Sequence, residues 1–320
     1  MTQKIITFIL VLIVIGGIAW YFNRTYIHEE NSEGQGLLPS SSSSGSGVGI
    51  EANLFYVSSG AAHEIWRIEP DKKTKKIFTD ADEREKISKF SNIAPDTKEV
   101  VAVTVSNKLV GINLDNPKLV VLQETFGSPE RLSLSPNGQK IGYTRFSNVE
   151  EDYGYTLYVE EKNGQKRRTL ENRESEINSL VWGPSGEQIA YAAITGTKAE
   201  IIIIEVASGD KKSIAKESDK IIDTISWEND QIFFSLRGLS AESGEIYKIV
   251  SDGKNQEKIL SFEGGVANFL SAANDKIAYL VAQYKGKLND TTSGQIYIAD
   301  LSGQKIEPLK KSIQILGWLP

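Results

Sequence analysis

Three observations predict an all-β fold. Strand-like stretches that end in turn residues recur every 41 to 48 residues. Each recurrence contains four short apolar or alternating stretches, which is the make-up of a propeller blade and not of a helical solenoid. The two ends of the repeating region are incomplete in complementary ways. Together these features predict a six-bladed β-propeller closed by a shared N-/C-terminal blade and preceded by one transmembrane helix. The expected divisions are residues 1–27 as anchor helix, 28–49 as flexible linker and 50–320 as propeller.

The repeat is clearest where a strand enters a tight turn. Arg131 to Gly138 reads RLSLSPNG, Ser179 to Gly186 reads SLVWGPSG, and Thr224 to Asp230 reads TISWEND. Asn268 to Asp275 reads NFLSAAND, and Phe90 to Asp96 reads FSNIAPD. Apolar residues followed by Pro, Asn, Asp or Gly mark a half-buried strand running into a turn. The matching positions Pro95, Pro136, Pro184, Asn229, Ala273 and Pro320 carry the period.

A second strand follows at once, as in Lys140–Thr144, Gln188–Ala192, Gln231–Ser235 and Lys276–Leu280. Third strands read TLYVEE (156–161), EIIIIEV (200–206), EIYKIV (245–250) and QIYIAD (295–300). After each comes Asn163-Gly164, Ser208-Gly209, Asp252-Gly253 or Ser302-Gly303, dipeptides that supply a positive φ at low cost. Fourth strands such as KRRTL (166–170) and KKSIA (211–215) are polar, as an outer edge facing water should be.

These residues resemble the TolB-like repeats of the WD-repeat-like propeller superfamily. The run S-P-N-G-Q-K-I-G-Y (135–143) followed by L-Y-V (157–159) and Asn163-Gly164 has the usual form of that repeat. The resemblance covers roughly residues 50–320 and is sharpest over 131–170 and 178–215. It implies a propeller that binds partners without catalysis, often at the bacterial envelope.

The ends predict how the ring closes. Ile313 to Pro320 (IQILGWLP) has the form of a lone first strand, with Trp318 matching Trp182 and Trp227. Asn53 to Val57 has the form of a second strand without a first. One shared blade therefore uses 53–79 with 313–318. The others are 87–122, 131–170, 178–215, 223–260 and 266–309. Such closure leaves no open seam.

At the N-terminus, Ile5 to Phe22 holds 18 residues without a charge. As a helix it spans roughly 27 Å, near the hydrocarbon thickness of a bilayer. Trp20 and Tyr21 stand at its far end, where amphipathic rings favour the interface. Gly17-Ile18-Ala19 offers the alternative of a cleaved signal peptide. The run continues through Trp20-Tyr21-Phe22, which favours an uncleaved anchor. The short N-terminal flank favours a cytoplasmic N-terminus, with the propeller outside the cell membrane. The linker includes GQGLLPSSSSSGSGVG and has a coil reach of roughly 26 Å.

Composition excludes several functions. The net charge is −6, so no basic field exists to hold nucleic acid. There is no cysteine, which removes disulfides, thiolate metal sites and cysteine nucleophiles. The two histidines, His28 and His63, leave almost nothing for His-based metal sites or Ser-His-Asp triads. Walker, G-x-S-x-G, H-E-x-x-H and EF-hand motifs are missing. No catalytic, cofactor-binding or metal-binding residue is expected.

Turns between first and second strands, and between third and fourth, are short. The longer loops converge on the opposite face: 146–155, 237–244, 283–294, 80–86 and 123–130. Loops carried by a rigid scaffold are where recognition residues concentrate. The candidate partner-binding residues there are Glu150, Asp152, Tyr153, Tyr155, Arg237 and Tyr284. The face also carries Glu151, Glu171, Glu174 and Glu176. Tyr143, Tyr191 and Tyr279 recur on second strands and read as core, as do Trp182, Trp227 and Trp318. The expected function is a monomeric, membrane-anchored, non-enzymatic module for a protein or envelope polymer. The alternatives are an enzyme-associated propeller of peptidase or lyase and cyclase type, and a sensor whose channel takes a sugar or peptide.

Overall fold

The computed structural model describes residues 52–319 apart from 59–62, 81–85, 151–152, 240–242, 264, 274, 283–293 and 305–307. The expected anchor and linker, and the candidates Asp152 and Tyr284, lie outside the described residues. Among the described residues no helix is long and apolar enough to cross a membrane.

The described residues form six four-stranded antiparallel sheets. The first contains β1 (Asn53–Val57), β2 (Glu64–Ile68) and β3 (Thr74–Thr79). The second contains β4 (Ile87–Ala94), β5 (Glu99–Thr104), β6 (Leu109–Asn113) and β7 (Leu119–Gln123). The third contains β8 (Arg131–Leu134), β9 (Lys140–Ser147), β10 (Gly154–Glu161) and β11 (Arg168–Arg173). The fourth contains β12 (Glu176–Trp182), β13 (Gln188–Thr195), β14 (Lys198–Glu205) and β15 (Lys211–Ser218). The fifth contains β16 (Lys220–Glu228), β17 (Gln231–Gly238), β18 (Ser243–Val250) and β19 (Glu257–Glu263). The sixth contains β20 (Val266–Ala273), β21 (Lys276–Ala282), β22 (Gly294–Asp300) and β23 (Lys311–Ser312). The last strand, β24 (Gln314–Leu319), completes the first sheet in the order β24-β1-β2-β3.

The innermost strands contact one another in a closed circle, β4 to β8, β12, β16, β20, β24 and back to β4. This is the expected six-bladed propeller. Its closing blade pairs Leu54 with Trp318 and Tyr56 with Ile315. The Ser312 hydroxyl and the Ile313 amide both donate to the Val57 carbonyl, at 2.7 and 3.0 Å.

Apolar side chains gather between blades. Six clusters form, one at each contact between neighbouring blades. This is why middle strands are apolar on both faces: Ile189, Ala190, Tyr191, Ala192 and Ala193 of β13 are all buried. The recurring tyrosines Tyr143, Tyr191 and Tyr279 are buried as expected. Tyr143 and Tyr279 stack on their cross-strand partners Tyr158 and Tyr297, with ring centroids 5.3 and 5.5 Å apart.

Side chains also bridge every seam to backbone. Asn92 accepts from the Leu134 amide at 2.9 Å and donates to its carbonyl at 3.1 Å. The Trp182 indole donates to Ser133, Asn178 to Ile222, and Ser235 to Ala267. The Trp318 indole donates to Ser271, and Gln314 donates to Phe90, which closes the circle. The recurring tryptophans are therefore more than packing residues, because two of the three cross a seam. The third, Trp227, bonds within its own turn at Asn229.

Three details differ from the sequence reading. Strands extend into the expected loops, because pairs such as Phe146 with Tyr155 and Arg237 with Gly244 continue the ladder. The outer strand of the sixth blade is the two-residue β23, beyond the expected limit at 309. Within each dipeptide of the third-to-fourth turns only the glycine has positive φ: Gly164, Gly209, Gly253 and Gly303 stand at 83–89°. In three of the four turns the residue before the glycine instead uses its side chain. Asn163, Ser208 and Asp252 accept a hydrogen bond from the amide two residues on.

Candidate functional site

The ring encloses a central channel of about 770 Å³, lined by the innermost strand of every blade. A recurring irregularity at the N-terminal ends of these strands determines what lines its mouth. The register with the second strand slips between Ile177 and Ser179, between Ile222 and Ile225, and between Ala267 and Phe269. A bulge leaves residues unpaired and re-aims their side chains. Asn178, Asp223, Thr224 and Asn268 are those unpaired residues, and all four line the channel.

A connected set of charges surrounds them. Lys89 donates to the Pro129 and Glu130 carbonyls at 2.5 and 2.9 Å, and burial pushes its ammonium below the usual range. The Arg131 guanidinium bonds the Asn178 carbonyl on the next blade and the Glu130 carbonyl beside it. Burial lowers the pKa of Arg131, while Glu176 and Glu130 hold its charge in place. Burial raises Glu176, with Arg131 opposing. Asp223 pairs with Arg237 at 2.8 Å, both side chains being nearly inaccessible. Burial pushes the Asp223 carboxyl up to about 6 in spite of that partner. Desolvation therefore outweighs attraction at this pair, as is common for buried ions. The Asn178 amide nitrogen donates to Ile222, whereas its buried Oδ1 has no hydrogen-bond partner among the described residues.

Outside the mouth lies an apolar rim. Seven large apolar side chains are exposed among the described residues: Val105, Val120, Val121, Phe146, Val149, Tyr153 and Leu239. Five of them stand where a second strand passes into a third, on the loop-rich face. Phe146, Tyr153 and Tyr155 form an aromatic group, with ring centroids 5.6 and 5.0 Å from Phe146.

The expected site residues fall into separate places. Tyr153 is exposed on the rim, and Glu150 is exposed beside it. Tyr155 is half-buried in β10, where burial and then Glu176 and Glu130 raise its phenol. Arg237 lies within β17 and is buried against Asp223. Glu171 accepts from Tyr191 and Lys211, at 2.9 and 2.6 Å. His63 stands beside Asp80, whose carboxylate accepts the His63 and Ile87 amides. Among the described residues no three His, Asp or Glu side chains form a group able to hold a metal ion.

The sequence reading missed most of the mouth. A usable signal was present: Lys89, Glu130, Asn178, Asp223 and Gln314 each lie six residues before a turn marker. They form a polar column at the blade period.

Comparison with solved structures shows where this architecture recurs. The chain is similar to the putative TolB of Agrobacterium tumefaciens, with 16% identity, TM-score 0.58, and 81% and 89% of the two chains covered. The fold is that of a TolB-like β-propeller. A nidogen/laminin complex contains a similar chain, with 13% identity and TM-score 0.61 over 84% of this chain and 97% of that one. Oligogalacturonate lyase in complex with manganese is also similar, with 9% identity and TM-score 0.54 over 79% and 72%. No family model matches the chain, and no curated protein matches it in sequence. The same propeller fold is thus similar both to a TolB and to a lyase, and the fold by itself does not fix the chemistry.

Proposed function

We propose that the chain is a membrane-anchored, extracytoplasmic propeller that binds a partner protein through its loop-rich face without catalysis. The apolar rim carries this reading. Among the described residues, five of the seven exposed large apolar side chains stand at second-to-third strand connections on that face, and three of the five, Phe146, Val149 and Tyr153, share the third blade. Apolar contact area with aromatic anchors inside a polar surround is what protein recognition uses. The uncharged run from Ile5 to Phe22 supports the anchor, and the Ser/Gly-rich linker supports a domain that reaches away from the bilayer.

The test places a photo-crosslinking residue at position 153 or, as control, at 163 in the opposite turn. Full-length protein is irradiated in its own membrane. A discrete crosslinked protein is expected from 153 and not from 163, and Phe146→Ser should abolish it. Equal labelling from both positions, or labelling indifferent to Phe146→Ser, would overturn the reading.

One observation favours a second reading, a sensor whose channel takes a small polar ligand. Asn178 Oδ1 is a buried acceptor on the channel wall without a partner among the described residues. Asn178→Leu separates the two readings, because it should spare the crosslink at 153 and remove a channel ligand.

A further inference from the structure

The two exposed valines not on the loop face are adjacent in β7, at 56% exposed for Val120 and 40% for Val121. This strand is the outermost of the second blade, so one of its edges has no strand beside it among the described residues. Every other outer strand carries charge: Lys75 and Lys76 in β3, Arg168 and Arg173 in β11, Lys211 and Lys212 in β15, Glu257 and Lys258 in β19, Lys311 in β23. Charged side chains on an edge keep other strands from pairing with it. The sequence LVVLQ of β7 has none. The same blade also departs from the polar fourth strand that the repeat leads one to expect.

The flanks of β7 indicate what covers it. Lys118 precedes the strand and Glu124 follows it, and both are exposed; Glu124 stands 3.4 Å from Lys108 of its own chain and stays 75% exposed, open to a second cation. A two-fold pairing runs one copy of β7 antiparallel to another. It sets the Lys118 end of each strand beside the Glu124 end of the other, with the valines between. Opposite charges directly across a strand pair stabilise it, and like charges oppose it. A parallel pairing would instead put lysine by lysine and glutamate by glutamate. The edge is thus complementary to itself in the isologous sense required of a two-fold dimer.

We propose that β7 is a self-association edge at which a second copy of this chain pairs antiparallel, joining two propellers into a continuous eight-stranded sheet. The proposal replaces the monomer expected from the sequence and does not depend on the loop-face reading. A five-residue edge buries less surface than a standard stable interface, so the association is weak and depends on concentration.

The absence of cysteine gives a clean test. In a two-fold pairing, residues near the centre of β7 face their own copies. Antiparallel partners lie at Cα separations within the range that a disulfide spans. Leu119→Cys, Val120→Cys and Val121→Cys are made singly in the full-length chain. Lys212→Cys in β15 is the control. Each is purified in mild detergent and oxidised with copper phenanthroline across a protein dilution series.

The expected result is disulfide dimer from at least one β7 site at about tenfold the yield of the control, favoured by concentration. Adding Val120→Lys to Val121→Cys should return the yield to control level. Circular dichroism confirms that each variant is folded. Yields equal to the control at all three sites would overturn the proposal. So would a dimer from Val121→Cys that survives Val120→Lys. Single-molecule mass by light scattering at rising concentration supplies the second readout: a shift toward twice the monomer mass that Val120→Lys removes.

Discussion

The innermost and outermost strands of these blades share one antiparallel ladder and have opposite chemistry. Inner strands such as β12 and β24 are apolar, and their side chains bond to the backbone of the neighbouring blade. Outer strands such as β15 carry lysines that reach solvent or nearby carbonyls. The difference shows where the ring is held. Both faces of a blade are dry near the axis, and there each polar group needs a protein partner. At the rim water satisfies the backbone, so charge is free to guard the edge.

Breaking the inner circle should have the largest effect. A chain ending at Ser312 lacks β24 and with it the buried Ile315, Leu316, Trp318 and Leu319. At about 1.5–3 kcal/mol per buried side chain, the loss rivals the whole stability of about 5–15 kcal/mol usual for a domain. Loss of the cooperative urea transition, followed by circular dichroism, is the expected outcome.

Trp182→Ala comes next. It empties a buried site at the contact between the third and fourth blades and removes the bond to Ser133. A loss of about 3–5 kcal/mol is expected from the urea midpoint. Trp182→Phe keeps most of the volume and should lose only about 1–2 kcal/mol, mainly the indole hydrogen bond.

The channel mouth sharpens the contrast through pH. Burial raises Asp223 from 3.8 to about 6 in the folded protein. The folded state therefore holds a proton that the unfolded state has already released. Its stabilising contribution is full below about pH 4 and is lost as pH rises through 6, by roughly 2–3 kcal/mol. Asp223→Asn does not titrate. The stability of the wild type relative to this variant should therefore fall between pH 4 and 6.5, measured as the difference in urea midpoints. A flat difference would show that Asp223 is an ordinary carboxylate.

The rim should respond least. Lys212→Ala on β15 removes an exposed contact with the Asp252 carbonyl and should change stability by no more than about 0.5 kcal/mol.

The same contrast explains what could be read from the sequence. Blade count, strand order and the shared closing blade were legible because alternation and turn residues repeat with the blade. The third-to-fourth turns were legible as glycine positions, though the part played by Asn163, Ser208 and Asp252 side chains was not. The mouth was obscured by its own geometry. A bulge at Asn178 or Asp223 breaks the two-residue alternation, and a broken alternation resembles ordinary polar punctuation. Arg237 reads as the first residue of a loop because Gly238 follows it. Only the pairing of β17 with β16 reveals that Asp223 waits across the sheet. The apolar rim was legible in part, through Tyr153, while Phe146 and Val149 went unremarked.

Closure by β24 has a consequence for how the protein is made. The bond from Ser312 to Val57 joins groups 255 residues apart. At roughly 5–20 residues per second, a ribosome needs on the order of 15–50 s to synthesise that stretch. Until it has done so, β1 emerges with an unpaired edge and an apolar face for which no partner yet exists. The first blade to leave the ribosome is the last to be finished. Interior blades consist of local hairpins, whereas the circle is sealed by one long-range pairing, the kind of contact whose closure costs the most chain entropy.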